Sequence, residues 1–237
     1  MEYAMSKIRV KFSKFDQLKY ISHLDMMRVF QRAIRRSGLN LKHSEGFNPH
    51  PLMSFSTAIG LGLETDGDYM DVEFLDEISP EAFIERVNTY LPLGLKMVKG
   101  KYIEAGDKAI MAQIRWGSYA MEIKNMDKVA QEKLSKAIEN FLMRDEIIHE
   151  SEKKKKHKMV LRQVNVREMI GKIDVLMSGE DYMILKFFIR TGSEGNIKPE
   201  LVMDLLEKYE DVKLEAENIT IKRIELYVEK EEIQTPV

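Results

Sequence analysis

Four arginines, Arg28, Arg32, Arg35 and Arg36, fall within nine residues of a segment that reads YISHLDMMRVFQRAIRRSGLNLKHSEGFNPHP from Tyr20 to Pro51. A guanidinium offers a planar fork of donors that matches phosphate or carboxylate oxygens, so such a group points to an anionic partner. The arginines are followed by Phe47, Asn48 and His50 in a loop that also contains Gly46, Pro49 and Pro51. Both prolines fix φ and remove an N–H, and they push Asn48 and His50 towards extended backbone. The loop is therefore a stiff platform. Phe47 could stack on a base while Asn48 and His50 bond a base or ribose. The competing reading is a rigid connection between two strands, with Phe47 plugging the core.

The other groups able to do chemistry are less specific. His23, His43 and His50, with Asp25, could ligate a metal or move protons, but their separations form no metal-ligand pattern. No metal site is expected. Lys154, Lys155 and Lys156 lie in a run of basic residues, Lys153 to Lys158 interrupted by His157. They are secondary candidates for diffuse phosphate attraction, as are His23 and His43. Gly60, Gly62 and Gly67 do not make a dinucleotide or P-loop pattern, so no nucleotide cofactor is expected.

The arginines need a helix to align them. Ser22 is a good N-cap, Asp25 three positions on can complete a capping box, and Ile21 and Met26 are spaced for a hydrophobic staple. At about 100° per residue, Met26, Met27, Phe30, Ala33 and Ile34 share one side, and Asp25 and the four arginines gather opposite. His23 starts on the apolar side. Gly38 is positioned to end the helix.

The composition sets the wider limits. The chain has 237 residues, 44% hydrophobic and 32% charged, as in a globular protein with ample core. Cysteine is absent, which excludes disulfides, thiolate zinc sites, cysteine nucleophiles and cysteine-held iron–sulfur clusters. No apolar run approaches a membrane span, and MEYAMSKIRVKF does not read as a signal peptide, so a cytoplasmic location is expected. Net charge is −2, yet residues 1–60 hold ten Lys/Arg against four Asp/Glu, a balance of +6, which leaves −8 for the remainder. A local anion-binding face fits that asymmetry.

Periodicity gives the layout. Strands are expected over 7–13, 69–75 and 95–103, with extended pieces over 39–43 and 52–58, an Asp66-Gly67-Asp68 turn, and helices over 23–37 and from Ser79 to Leu91. The order β-α-β-β-α-β is that of a ferredoxin-like unit. After Gly106-Asp107 a similar order recurs. It comprises a strand over 114–124, a helix over 126–142, short extended pieces around the lysines, a hairpin over 173–190, a helix from Pro199 and a strand over 219–228. The expected fold is α+β, two ferredoxin-like units in tandem, with domains at 1–106 and 107–237.

The phrases ISHLDMMRVFQRAIRRSGL and SEGFNPHPLMSFSTAIGLGLETDGDYMDVEF resemble the radical SAM-linked proteins, a family found fused or adjacent to cobalamin-binding radical SAM proteins. The specific part spans about residues 7–75. The resemblance implies a partner, a separate radical SAM enzyme, and the absence of cysteine agrees that this chain is not that enzyme. The expected function is an accessory, non-catalytic RNA-binding protein for tRNA or rRNA. Phosphates would be held by Arg28, Arg32, Arg35 and Arg36, and a base or terminus read by Phe47, Asn48 and His50. Two alternatives stand beside it: a subunit that docks on the enzyme without touching RNA, and an RNA-processing or RNA-modifying enzyme that uses a histidine.

Overall fold

In the computed structural model, which describes residues 6–104, 106–155 and 158–237, the alternating KIRVKFS segment lies in strand β1 (Ser6–Lys14). Then come helix α1 (His23–Arg36), β2 (Met53–Phe55), β3 (Glu64–Phe74), helix α2 (Pro80–Asn88) and β4 (Leu95–Tyr102). β1 pairs antiparallel with β3 on one side and β4 on the other, and β2 pairs antiparallel with β3. The even-numbered residues Ile8, Val10 and Phe12 meet the apolar stripe of α1, including Phe30 and Ile34, and Phe83 and Val87 of α2. Phe12 packs edge-on to Phe30 with ring centroids 4.9 Å apart, and Phe74 does the same to Phe83. Such geometry suits the ring quadrupole.

The other face of β1 is buried too, and there the sequence is polar. Arg9 and Asp71, each about 3% exposed, form a bidentate pair at 2.8 and 3.0 Å. The chain after β4 crosses them. Arg9 donates to the Lys108 carbonyl, and Asp71 accepts the Ile110 N–H at 2.9 Å as the short helix α3 (Ile110–Gln113) begins. Ile110 and Ile114 are buried with Tyr69, Leu226 and Val228. This segment lies in the first compact unit, which runs to Trp116 and includes Lys222–Val237. The division falls inside β5 (Ile114–Lys124) and again inside the late strand that supplies residues 222 onward.

The second unit is Gly117–Ile221. It contains helix α4 (Lys128–Met143), β6 (Ile148–Lys155), β7 (Lys158–Asn165), β8 (Ile170–Ser178), β9 (Tyr182–Arg190) and helix α5 (Pro199–Glu210), and it reaches the start of β10 (Ile219–Glu229). β9 lies between β5 and β8. Its alternating Met183, Leu185, Phe187 and Ile189 are buried with Leu134, Ile138 and Phe141 of α4 and Val202 and Leu206 of α5. β6 and β7 form a two-stranded sheet in register from Ile148↔Asn165 to Lys155↔Lys158, longer than the short pieces expected there. The final β11 (Ile233–Gln234) pairs with β10. The architecture is mixed α+β with mostly antiparallel strands. No helix among the described residues is long and apolar enough to cross a membrane.

One expected turn is absent. Asp66-Gly67-Asp68 lies inside β3, not in a reversal before it. Tertiary contact overrides the local signal. β3 pairs in parallel with β10 at Glu64 and Thr65, and Asp68 is buried against Arg223 at 2.6 Å. Gly67 makes the close approach possible: a Cβ there would stand 2.7 Å from the Ile224 carbonyl oxygen.

Candidate nucleic-acid interface

The cap and stripe of α1 set the arginines on the outside. Ser22 Oγ accepts the Asp25 N–H at 3.1 Å and donates to Asp25 Oδ2 at 2.7 Å, so the cap is reciprocal through the side chain. Met26, Phe30, Ala33 and Ile34 are buried, while Arg28, Arg32, Arg35 and Arg36 are all exposed. Arg86 closes the far end by donating to the Ser37 carbonyl at 2.7 Å.

The four guanidinium groups are not equivalent. Arg28 is paired with Asp25 at 3.0 Å. Hydrogen bonds from Ser22 and then Arg28 hold the Asp25 carboxyl below the usual carboxylate range. Arg32 donates back to the Arg28 carbonyl, and Arg36 lies over the Tyr90 ring at 5.3 Å. Among the described residues Arg32, Arg35 and Arg36 have no carboxylate within ion-pair distance.

The loop after α1 projects. His43 and Pro51 form an isolated bridge, and the Ser44 N–H donates to the His50 carbonyl at 2.8 Å. The His50 N–H donates to Ser44 Oγ at 3.1 Å, and the same hydroxyl lies 2.9 Å from His50 Nδ1. Gly46 has φ +117°, a corner that L side chains rarely adopt. These bonds close the base of the loop, and residues 45–50 are exposed. Phe47, at 113% relative exposure, is not a core plug. Asn48 stands beside it.

Helix and loop meet at one cleft of about 540 Å³, lined by Arg35, Leu39, Asn40, Leu41, His43, Leu75 and Asp76. His43 Nδ1 faces the Leu41 carbonyl at 2.9 Å and must donate to it. Asn40 is held by Asp76, through its backbone N–H at 2.7 Å and its side-chain amide at 3.0 Å. His50 lines a different groove, of about 180 Å³, with Lys7, Met53, Asp71 and Glu73. So the structure brings Arg35 and His43 together and sets His50 apart from them. Asn40, inside the extended piece expected over 39–43, and Asp76 went unrecognised in the sequence.

His23 is elsewhere. Its ring lies edge-on to Phe55 at 5.4 Å, and Nδ1 is buried without a hydrogen-bond partner. Burial lowers its pKa, with the charge of Asp68 opposing. Of the lysine candidates, Lys154 and Lys155 lie in the backbone of β6, and Lys156 lies outside the described residues.

No curated protein matches the chain. A crystal structure of an unknown protein from Galdieria sulphuraria overlaps 92% of this chain and 98% of that one at 9% identity, with a TM-score of 0.27. A carbohydrate oxidase from Microdochium nivale overlaps 91% of this chain and 46% of that one at 8% identity, with a TM-score of 0.21. TM-scores that low carry no fold assignment. A family model described as "Uncharacterized protein conserved in bacteria" (DUF2344) matches residues 7–199, the greater part of both compact units, and the chain belongs to that family.

Proposed function

We propose that this chain is a non-catalytic accessory protein that binds RNA, transfer or ribosomal, beside a separate radical SAM enzyme. The observation that carries the RNA reading is Phe47, which stands fully exposed at the end of a loop braced by Ser44 and His50. An apolar ring held in water by a stiff loop is a stacking platform for an unpaired base. Arg32, Arg35 and Arg36 supply charge for the phosphates, and the cleft between Arg35 and His43 has the volume of a small-ligand site. The partner enzyme rests on the sequence resemblance of the SHLD and GFNPHP segments. The neighbour relations β4-β1-β3, with β2 beside β3, support the reading of the first unit as ferredoxin-like. The β8–β9 hairpin beside β5 supports it for the second.

Among the described residues no histidine is hydrogen-bonded to a carboxylate that would orient it for proton transfer, which favours an accessory role over a histidine enzyme. The docking-subunit alternative gains from Tyr20, Leu24 and Leu61, each 60% exposed or more.

The test is fluorescence anisotropy with labelled single-stranded RNA. Phe47→Ala should weaken binding roughly 5- to 150-fold, the loss of one stacked base at about 1–3 kcal/mol. The melting temperature should not move, since the ring makes no core contact. Unchanged affinity would sink the RNA reading, and co-purification with the enzyme after nuclease treatment would replace it with the docking subunit.

A further inference from the structure

A second set of polar groups is buried in the first unit, beneath the start of α1, and the exposed face makes no use of it. Lys14 and Asp68 are each 2% exposed and Arg223 4%. Arg223 Nη1 donates to Asp68 Oδ1 at 2.6 Å and to the Thr57 carbonyl at 3.3 Å. Lys11 and Glu225 form a neighbouring pair at 2.6 Å, and the Tyr69 hydroxyl donates to the same Glu225 at 2.6 Å. Each of these carboxylates therefore has a cation in contact. Lys14 is a further cation, and among the described residues no carboxylate lies within ion-pair distance of it. Its ammonium makes one long contact, to the Lys19 carbonyl at 3.5 Å.

Burying an ammonium with donors unused and no carboxylate in contact is expensive. Desolvation accordingly pulls the Lys14 pKa down, with Asp68 offsetting only part of the effect. Two more atoms close to this cluster lack partners. They are His23 Nδ1, whose ring feels the charges of both Asp68 and Lys14, and Thr57 Oγ1, on the residue whose carbonyl Arg223 holds. Ammonium and hydroxyl are donors, and so is the imidazole Nδ1 in the tautomer that carries its proton there. A metal cation is the wrong sign for an excess of positive charge. A water molecule could satisfy the hydrogen bonds but would leave the charge of Lys14 uncompensated.

We propose that Lys14, His23 and Thr57 form a buried binding site for a small oxyanion of the phosphate class. The 3-10 turn Asp16–Tyr20 supplies the Lys19 carbonyl that Lys14 reaches. Gly62 N–H donates to the Lys19 carbonyl at 2.9 Å, the oxygen that Lys14 also reaches. The burial of Lys14 favours a free anion over the end of a nucleic acid.

The test is thermal unfolding of the full chain in chloride buffer at pH 7, with and without inorganic phosphate at matched ionic strength. A parallel arm uses a nucleoside monophosphate. Inorganic phosphate should raise the melting temperature by roughly 5–10 °C at a hundredfold excess over its Kd. The response should vanish in Lys14→Met, a variant that itself loses little stability because it removes an uncompensated charge. If Lys14→Met does not fold, the near-isosteric Thr57→Val serves, with a weakened response expected. The Arg28→Gln, Arg32→Gln, Arg35→Gln, Arg36→Gln variant should keep the full response, which separates this site from the exposed arginines. Equal stabilisation by the monophosphate would overturn the assignment to a free anion. No phosphate response in the wild type, a response that survives Lys14→Met, or one lost with the surface arginines would each overturn the proposal.

Discussion

The salt dependence of RNA binding gives the most direct measure of the arginine face. Arg32, Arg35 and Arg36 are exposed and free of carboxylate partners among the described residues, whereas Arg28 is paired with Asp25. Each phosphate contact with single-stranded nucleic acid contributes about 0.7 to the slope of log K against log salt. Three contacts contribute about 2.1, so a rise from about 50 to 200 mM salt should cost roughly 20-fold in affinity through these residues alone. Replacing all three with glutamine should flatten the slope by that amount. Stability should barely change, apart from about 0.5–1 kcal/mol from the loss of Arg36 over Tyr90. Asp25→Asn should act in the opposite direction. It keeps an oxygen for the bond from Ser22 but releases Arg28, so affinity should rise and the slope steepen by up to about 0.7. Anisotropy titrations at four salt concentrations measure both slopes. If the wild-type and triple-variant lines are parallel, the arginines do not touch phosphate and the assignment fails.

Other perturbations probe the scaffold. Asp68→Asn removes the carboxylate that the buried Arg223 contacts and should cost about 3–5 kcal/mol in urea unfolding; a loss under 1 kcal/mol would show that the pair is solvated. Gly67→Ala drives a Cβ into the Ile224 carbonyl oxygen and should cost about 1–3 kcal/mol or more, read as a lower urea midpoint. Ser22→Ala removes the cap of α1 and should cost about 0.5–2 kcal/mol. Burial holds the His23 pKa below its ordinary 6.5, so the unfolded chain takes up the proton first as pH falls. In phosphate-free buffer stability should therefore drop as pH falls below 6.5, and His23→Gln should lose that part of the pH dependence.

The elements with strong local signals were legible from the sequence. The Ser22 cap, the stripe from Met26 to Ile34 and the alternation in β1 and β9 all reflect one-dimensional periodicity, and the structure has them. What escaped depends on long-range pairing. Asp66-Gly67-Asp68 carries turn chemistry but sits in a strand, because Arg223, more than 150 residues later, neutralises Asp68 while Gly67 admits the backbone of β10. The burial of the polar Arg9–Asp71 pair escaped for a similar reason, since it lies on an apparently solvent-facing side of β1 and is capped by Lys108 and Ile110. No local pattern distinguishes a buried salt bridge from a wet strand face. The exposure of Phe47 was equally out of reach, because an aromatic ring between glycine and asparagine fits either a plug or a platform.

The SHLD segment shows why such a motif resists a single functional label. Ser22 caps α1, His23 turns inward beside Phe55, Leu24 is exposed, and Asp25 neutralises Arg28. Four consecutive residues thus serve stability, a buried polar cluster, the surface and the charge of the arginine face. Their effects should separate by observable: Ser22→Ala in unfolding free energy, His23→Gln in pH dependence, Asp25→Asn in the salt slope. A block replacement of the motif would merge these signals, and loss of RNA binding from it could be mistaken for loss of a contact when the helix had simply frayed. Single substitutions, each read in its own assay, are what can assign the motif.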